Sequence, residues 1–140
     1  MKHLIILIAF LSVFNSCSKD LVPTDNTGYY GKWTLIKMSG SMVNSETTGA
    51  AMEWQEFYLF KTNRTFIKSR ERNGNKTTIS GTYTTTNHPD GFYFELTYPN
   101  DSEVIGSCYG NLKEELYITE SNILSSTWKN CDGPGLEYKK

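Results

Sequence analysis

Three regimes of polarity follow one another along this chain. Leu4 to Phe14 is an almost unbroken apolar run, Ser18 to Thr27 is polar without periodicity, and from Gly28 onward short β-rich runs alternate between apolar and polar positions. Alternation with period two marks half-buried strands, and turn residues at regular spacing between them mark a sandwich or a barrel. The runs predict strands over Gly31–Met38, Trp54–Lys61, Thr65–Arg72, Lys76–Thr85, Phe92–Tyr98, Glu103–Tyr109, Glu115–Thr119 and Ile123–Lys129, with a short last strand over Leu136–Lys139.

Register follows from one dipeptide. A two-residue type I′ turn needs positive φ twice, which Asn73-Gly74 tolerates, so the flanking runs form a hairpin. Glu71 then faces Lys76, Lys68 faces Ile79 and Phe66 faces Gly81. Phe66, Lys68 and Arg70 share a face with Ile79, Gly81 and Tyr83, apolar at one end and basic at the other. In the next run Phe92, Phe94, Leu96 and Tyr98 point inward, while Tyr93, Glu95 and Thr97 face water. Ser39 to Ala51 is the one sizeable insertion, long enough for a lid or binding loop, with Met38, Met42, Val43 and Met52 as an adaptable apolar lining.

The N-terminal run spans about eleven residues, against the roughly twenty that cross a bilayer as a helix. Lys2 precedes it, and it ends in Phe14-Asn15-Ser16-Cys17 before polar Ser18-Lys19-Asp20. A basic start, an apolar core and a small residue before cysteine make a bacterial lipoprotein signal. Residues 1–16 would be removed and Cys17 lipidated, with 17–27, including Pro23, as a flexible tether and 28–140 as the domain. The competing reading is an ordinary secretory signal with a coincidental cysteine; both export the protein. About 120 residues then remain, enough for one core and too few for two.

Composition supports the strands: nine Tyr, seven Phe and many Thr suit a pleated, half-buried surface. The fold class is all-β. Eight short antiparallel strands hide their edges completely by closing into a barrel, whose interior is either filled by side chains or able to hold one small ligand. Trp33, Phe57, Phe66, Tyr83, Phe94, Leu96 and Trp128 are the candidate inward set. The net charge of −1, with both signs scattered, argues against a nucleic-acid partner. With Cys17 used by lipid, Cys108 and Cys131 remain as an expected disulfide in an exported protein, the alternative being two free thiols.

Beyond these patterns, Gly31-Lys32-Trp33 followed by Thr34-Leu35-Ile36-Lys37 resembles the opening of the lipocalin and lipocalin-like families, in which the Trp plugs the closed end of an up-and-down barrel. Phe57-Tyr58-Leu59-Phe60, the turn at Thr62-Asn63, Arg64-Thr65-Phe66, Ser80-Gly81-Thr82-Tyr83 and the closing Cys131-Asp132-Gly133-Pro134 are similar to the small lipocalin-like lipoproteins of Gram-negative envelopes. The likeness covers nearly all of the chain after Gly28, and its motifs are structural. Asn63-Arg64 stands where that group has Asp-Gly, and no Thr-Asp-Tyr segment of the secreted lipocalins is present. The resemblance implies an up-and-down antiparallel β-barrel of about eight strands, with Gly31 and Trp33 structural, in a lipid-anchored protein of the cell envelope, at the outer membrane.

Candidate chemistry is sparse. His3 leaves with the signal, and His88 sits in a turn, Asn87-His88-Pro89-Asp90. The acidic pairs Glu114-Glu115 and Glu53 with Glu56 read as exposed strand ends or a loop. Asn100-Asp101-Ser102-Glu103 lacks the ligand spacing of a calcium loop, and no phosphate loop or nucleophile elbow occurs. No enzyme activity, cofactor or metal is expected. Two functions remain: a barrel binding a small apolar or amphipathic ligand, with Phe66 and Tyr83 against its apolar part and Lys68 and Arg70 at the mouth for its acidic head, or a solid-cored interaction or structural module with an envelope protein as partner.

Overall fold

A computed structural model describes residues 28–119 and 121–140. The predicted signal, Cys17 and the tether lie outside them. Nine strands form one antiparallel sheet: β1 (Gly31–Ser39), β2 (Thr47–Thr48), β3 (Gln55–Phe60), β4 (Thr65–Arg72), β5 (Asn75–His88), β6 (Gly91–Thr97), β7 (Lys113–Ile118), β8 (Leu124–Ser126) and β9 (Gly135–Lys139). Each strand from β3 onward pairs with the next, and β1 pairs with both β3 and β9. The sheet is thereby a closed eight-stranded up-and-down barrel, with β2 a two-residue addition to β1. No described helix is long and apolar enough to cross a membrane.

The Asn73-Gly74 turn has φ of 53° and 76°, as a type I′ turn requires. It sets the expected register, with Glu71 opposite Lys76, Lys68 opposite Ile79 and Phe66 opposite Gly81. The preceding hairpin turns differently: Arg64 takes φ of 61°, and the Asn63 side chain accepts from the Thr65 backbone N–H at 3.2 Å. Asparagine thus supplies by a side-chain bond part of what glycine supplies by conformational freedom.

Where the chain enters the barrel, rings fill it. Trp33 is fully buried and its indole N–H donates to the Tyr29 carbonyl at 2.6 Å. Tyr29 packs against Tyr83, Phe92 and Phe94, and Phe60 against Tyr83 and Phe94. Burial of this many rings is the main stabilising contribution, each worth roughly 1.5–3 kcal/mol or more in transfer free energy.

Three expectations are corrected. Glu103–Tyr109 is irregular, not a strand: Arg70 draws the Glu103 and Val104 carbonyls to itself, and Gly106 lies so close to the Trp128 ring that a Cβ would meet it. The run from Ile123 keeps only Leu124–Ser126 as strand, because the chain coils into a 3₁₀ turn at Trp128–Cys131. Phe57 and Trp128 are only half-buried. Phe57 alternates with inward Glu56 and Tyr58, and its ring lies under Lys32, 4.3 Å away. The Ser39–Ala51 insertion divides its apolar residues: Met38 and Met52 join the core, whereas Met42 and Val43 are exposed at its tip. The Cys108–Cys131 disulfide is formed.

Candidate functional site

Period-two alternation places Phe66, Lys68 and Arg70 of β4 inside the barrel, and all three are buried. Strand β3 contributes Glu56 next to Tyr58 by the same alternation, and β7 contributes Glu114 next to Leu116. These side chains meet in the interior, beyond the layer of rings.

Lys68 Nζ lies 2.9 and 3.1 Å from the two Glu114 oxygens and 3.6 Å from Glu56 Oε1. Glu114 also accepts from the Tyr58 hydroxyl at 2.9 Å, from the Tyr98 hydroxyl and from the Gly106 backbone N–H at 3.2 Å. Glu56 accepts from Arg70 Nε at 2.5 Å and from the Tyr138 hydroxyl at 2.5 Å. The other Arg70 nitrogens donate to the carbonyls of Glu103 and Val104, at 3.5 and 3.3 Å. Two cations therefore face two carboxylates, and three hydroxyls fill the remaining acceptor sites. A buried ion pair is tolerable only when its lone pairs and protons are satisfied in this way.

Burial raises the pKa of Tyr58, Tyr98 and Tyr138, and the neighbouring Glu114 and Glu56 charges raise it further, so the three phenols stay protonated as donors. For Arg70 burial acts downward, but the charge and hydrogen bond of Glu56 outweigh it and the net shift is upward. Lys68 lies 4.9 Å over the Tyr58 ring and Arg70 4.3 Å over that of Trp54.

The sequence-predicted residues are thus brought together, with two differences. Lys68 borders no mouth, since it is 0 % exposed. The acid opposite it and Arg70 is the chain's own, supplied by Glu114 and Glu56, which the sequence reading put on exposed strand ends or a loop. Alternation carries the missing signal: Glu56 is in phase with Tyr58 and Phe60, and Glu114 with Leu116. Tyr83 is buried at the opposite, ring-filled end, and its hydroxyl donates to the Lys61 carbonyl at 2.7 Å.

Open space lies on the flank. A cleft of about 560 Å³ opens beside Phe66, Ile67, Gly81, Tyr98 and Pro99, with Lys61 on its rim. A smaller one of about 300 Å³ lies by Arg70, Arg72, Asn75, Thr77 and Glu103. Among the described residues no three His, Cys, Asp or Glu side chains group as a metal site would need. His88 sits at the exposed end of β5, its ring edge-on to Tyr93. No protein-family model, curated protein or solved structure matches this chain.

Proposed function

We propose that this chain is a lipid-anchored, lipocalin-like interaction module of the bacterial cell envelope, which docks a partner protein by its surface and carries no ligand along its axis. One observation carries the reading: Lys68 and Arg70 are already neutralised by Glu114 and Glu56. An acidic headgroup would gain no unpaired charge there, and rings occupy the remaining interior. The anchoring rests on the sequence around Cys17, and the reading includes no catalysis or cofactor.

A second reading is favoured by the flank cleft, whose volume lies in the range of roughly 300–1,000 Å³ usual for small-molecule sites. There an amphipathic molecule would set its apolar part against Phe66 and Tyr98 and its acid near Lys61.

Native mass spectrometry of a soluble chain beginning at Asp20 separates the two. The docking reading expects the bare mass after purification. A stoichiometric small-molecule adduct that Lys61→Gln abolishes would replace it with the second. For the anchor, Cys17→Ala is expected to abolish lipid labelling and release from the signal; an unchanged mature form in the membrane fraction would remove that part.

A further inference from the structure

Antiparallel strands gather their ends into two loop clusters. One lies where the chain enters: β1 begins there beside the end of β3, the turn from Lys61 to Arg64 follows, and β9 finishes there with Lys139 opposite Thr34. At the other end lie the Ser39–Ala51 insertion, the Asn73-Gly74 turn, the stretch between β6 and β7 and the 3₁₀ turn before β9.

Charge divides between the two. Lys32, Lys61, Arg64, Lys139 and Lys140 are all exposed at the entry end. The ion pairs among the described residues use Lys37, Lys68, Arg70, Arg72 and Lys113, and none of these five. Lys32 lies over the Phe57 ring and Lys140 Nζ donates to the Gly28 carbonyl, contacts that bring no opposite charge. Asp90, bonded to the Tyr93 hydroxyl, is the one carboxylate side chain among the described residues of that end. The far end carries Glu46, Glu53, Glu71, Asp101, Glu103 and Asp132, all exposed, against Arg72, Lys76, Lys113 and Lys129.

Position along the chain says what the basic end meets. The ten residues 18–27 between Cys17 and Gly28, at no more than about 3.5 Å each, keep Gly28 within roughly 35 Å of a lipid on Cys17. Unpaired charge acts over a Debye length of about 8 Å at physiological salt, and a short tether makes so close an approach frequent.

We propose that the basic end is a membrane-seating surface, which rests on the anionic phospholipid headgroups of the bilayer that holds the anchor and leaves the acidic end for the partner. The inference rests on the anchoring part of the reading above and adds the orientation in which the domain is held. Each Lys or Arg at an anionic surface strengthens association by about fivefold, so five together select one orientation of a domain already kept near.

The test is an amine-acylation footprint, read by peptide mass spectrometry, of the mature chain reconstituted in vesicles of phosphatidylcholine alone or mixed with phosphatidylglycerol. On the anionic vesicles Lys32, Lys61, Lys139 and Lys140 are expected to react about threefold or more slowly than on neutral ones, while Lys76 and Lys129 keep their rates. Salt at about 1 M, where the Debye length falls to about 3 Å, is expected to abolish the difference. Lys61→Glu with Lys139→Glu is expected to remove the protection of Lys32 and Lys140, and Lys76→Glu with Lys129→Glu to leave it. Equal protection at both ends, protection of the far end, or the same footprint on neutral vesicles overturns the proposal. Concentration-dependent protection without vesicles overturns it too, by making the acidic end of a second copy the occupant. A chain that carries no lipid defeats the anchoring reading alone; excess anionic vesicles then give the same footprint, or its absence overturns the seating surface.

Discussion

Lys68 Nζ and the Glu114 carboxylate sit 2.9 Å apart inside the barrel, both 0 % exposed, on strands that are not neighbours in the sheet. Each ion is held in place by the other. Lys68→Met leaves Glu114 without its cation and is expected to cost about 3–5 kcal/mol in urea unfolding, as removal of one partner of a buried pair does. The double variant with Glu114→Gln is expected to be more stable than the sum of the singles by about 1 kcal/mol or more. Strict additivity would mean that the two do not interact directly.

Alkaline pH probes the hydroxyls. Tyr58, Tyr98 and Tyr138 have raised pKa values in the fold through burial and the adjacent carboxylates. A folded pKa above the unfolded one means that the native state holds protons which unfolding releases. Their stabilisation is complete below the unfolded tyrosine value near 10 and is lost as pH climbs beyond it. With three such groups, unfolding free energy is expected to fall by about 4 kcal/mol per pH unit well above pH 10, measured by urea titration against tyrosinate absorbance. Ionisation of all three while the fold persists would contradict the buried network.

Trp33 closes the end where the chain enters. Its truncation to alanine removes a fully buried ring and the donor to Tyr29, and is expected to cost about 3–5 kcal/mol. A variant that melts like the parent would refute its structural role.

The Cys108–Cys131 bridge joins residues 23 apart and ties the loop after β6 to the 3₁₀ turn before β9. Its removal by a double serine substitution is expected to cost about 3 kcal/mol in the chain-entropy account. Proteolysis of the non-reduced and reduced chain locates the effect: cleavage should appear first between Pro99 and Leu112, where no strand pairs the backbone.

Sequence alone settled what depends on local chemistry. Period-two alternation fixed the strand class, and Asn73-Gly74 fixed the β4–β5 register and put Phe66 and Lys68 on one face; that this face is the inner one was decided by closure of the barrel. Even Glu56 and Glu114 carry their inward phase in their strands, although charge argued for the surface. The sequence could not say which cation each carboxylate would meet, because Lys68 and Glu114 are 46 positions apart and touch only once the barrel closes. Closure also decided that β5 would pass from one neighbour to the other at Thr82. Alternation and turn residues act over a few positions, whereas partner choice across a barrel depends on the shear and bending of the whole sheet.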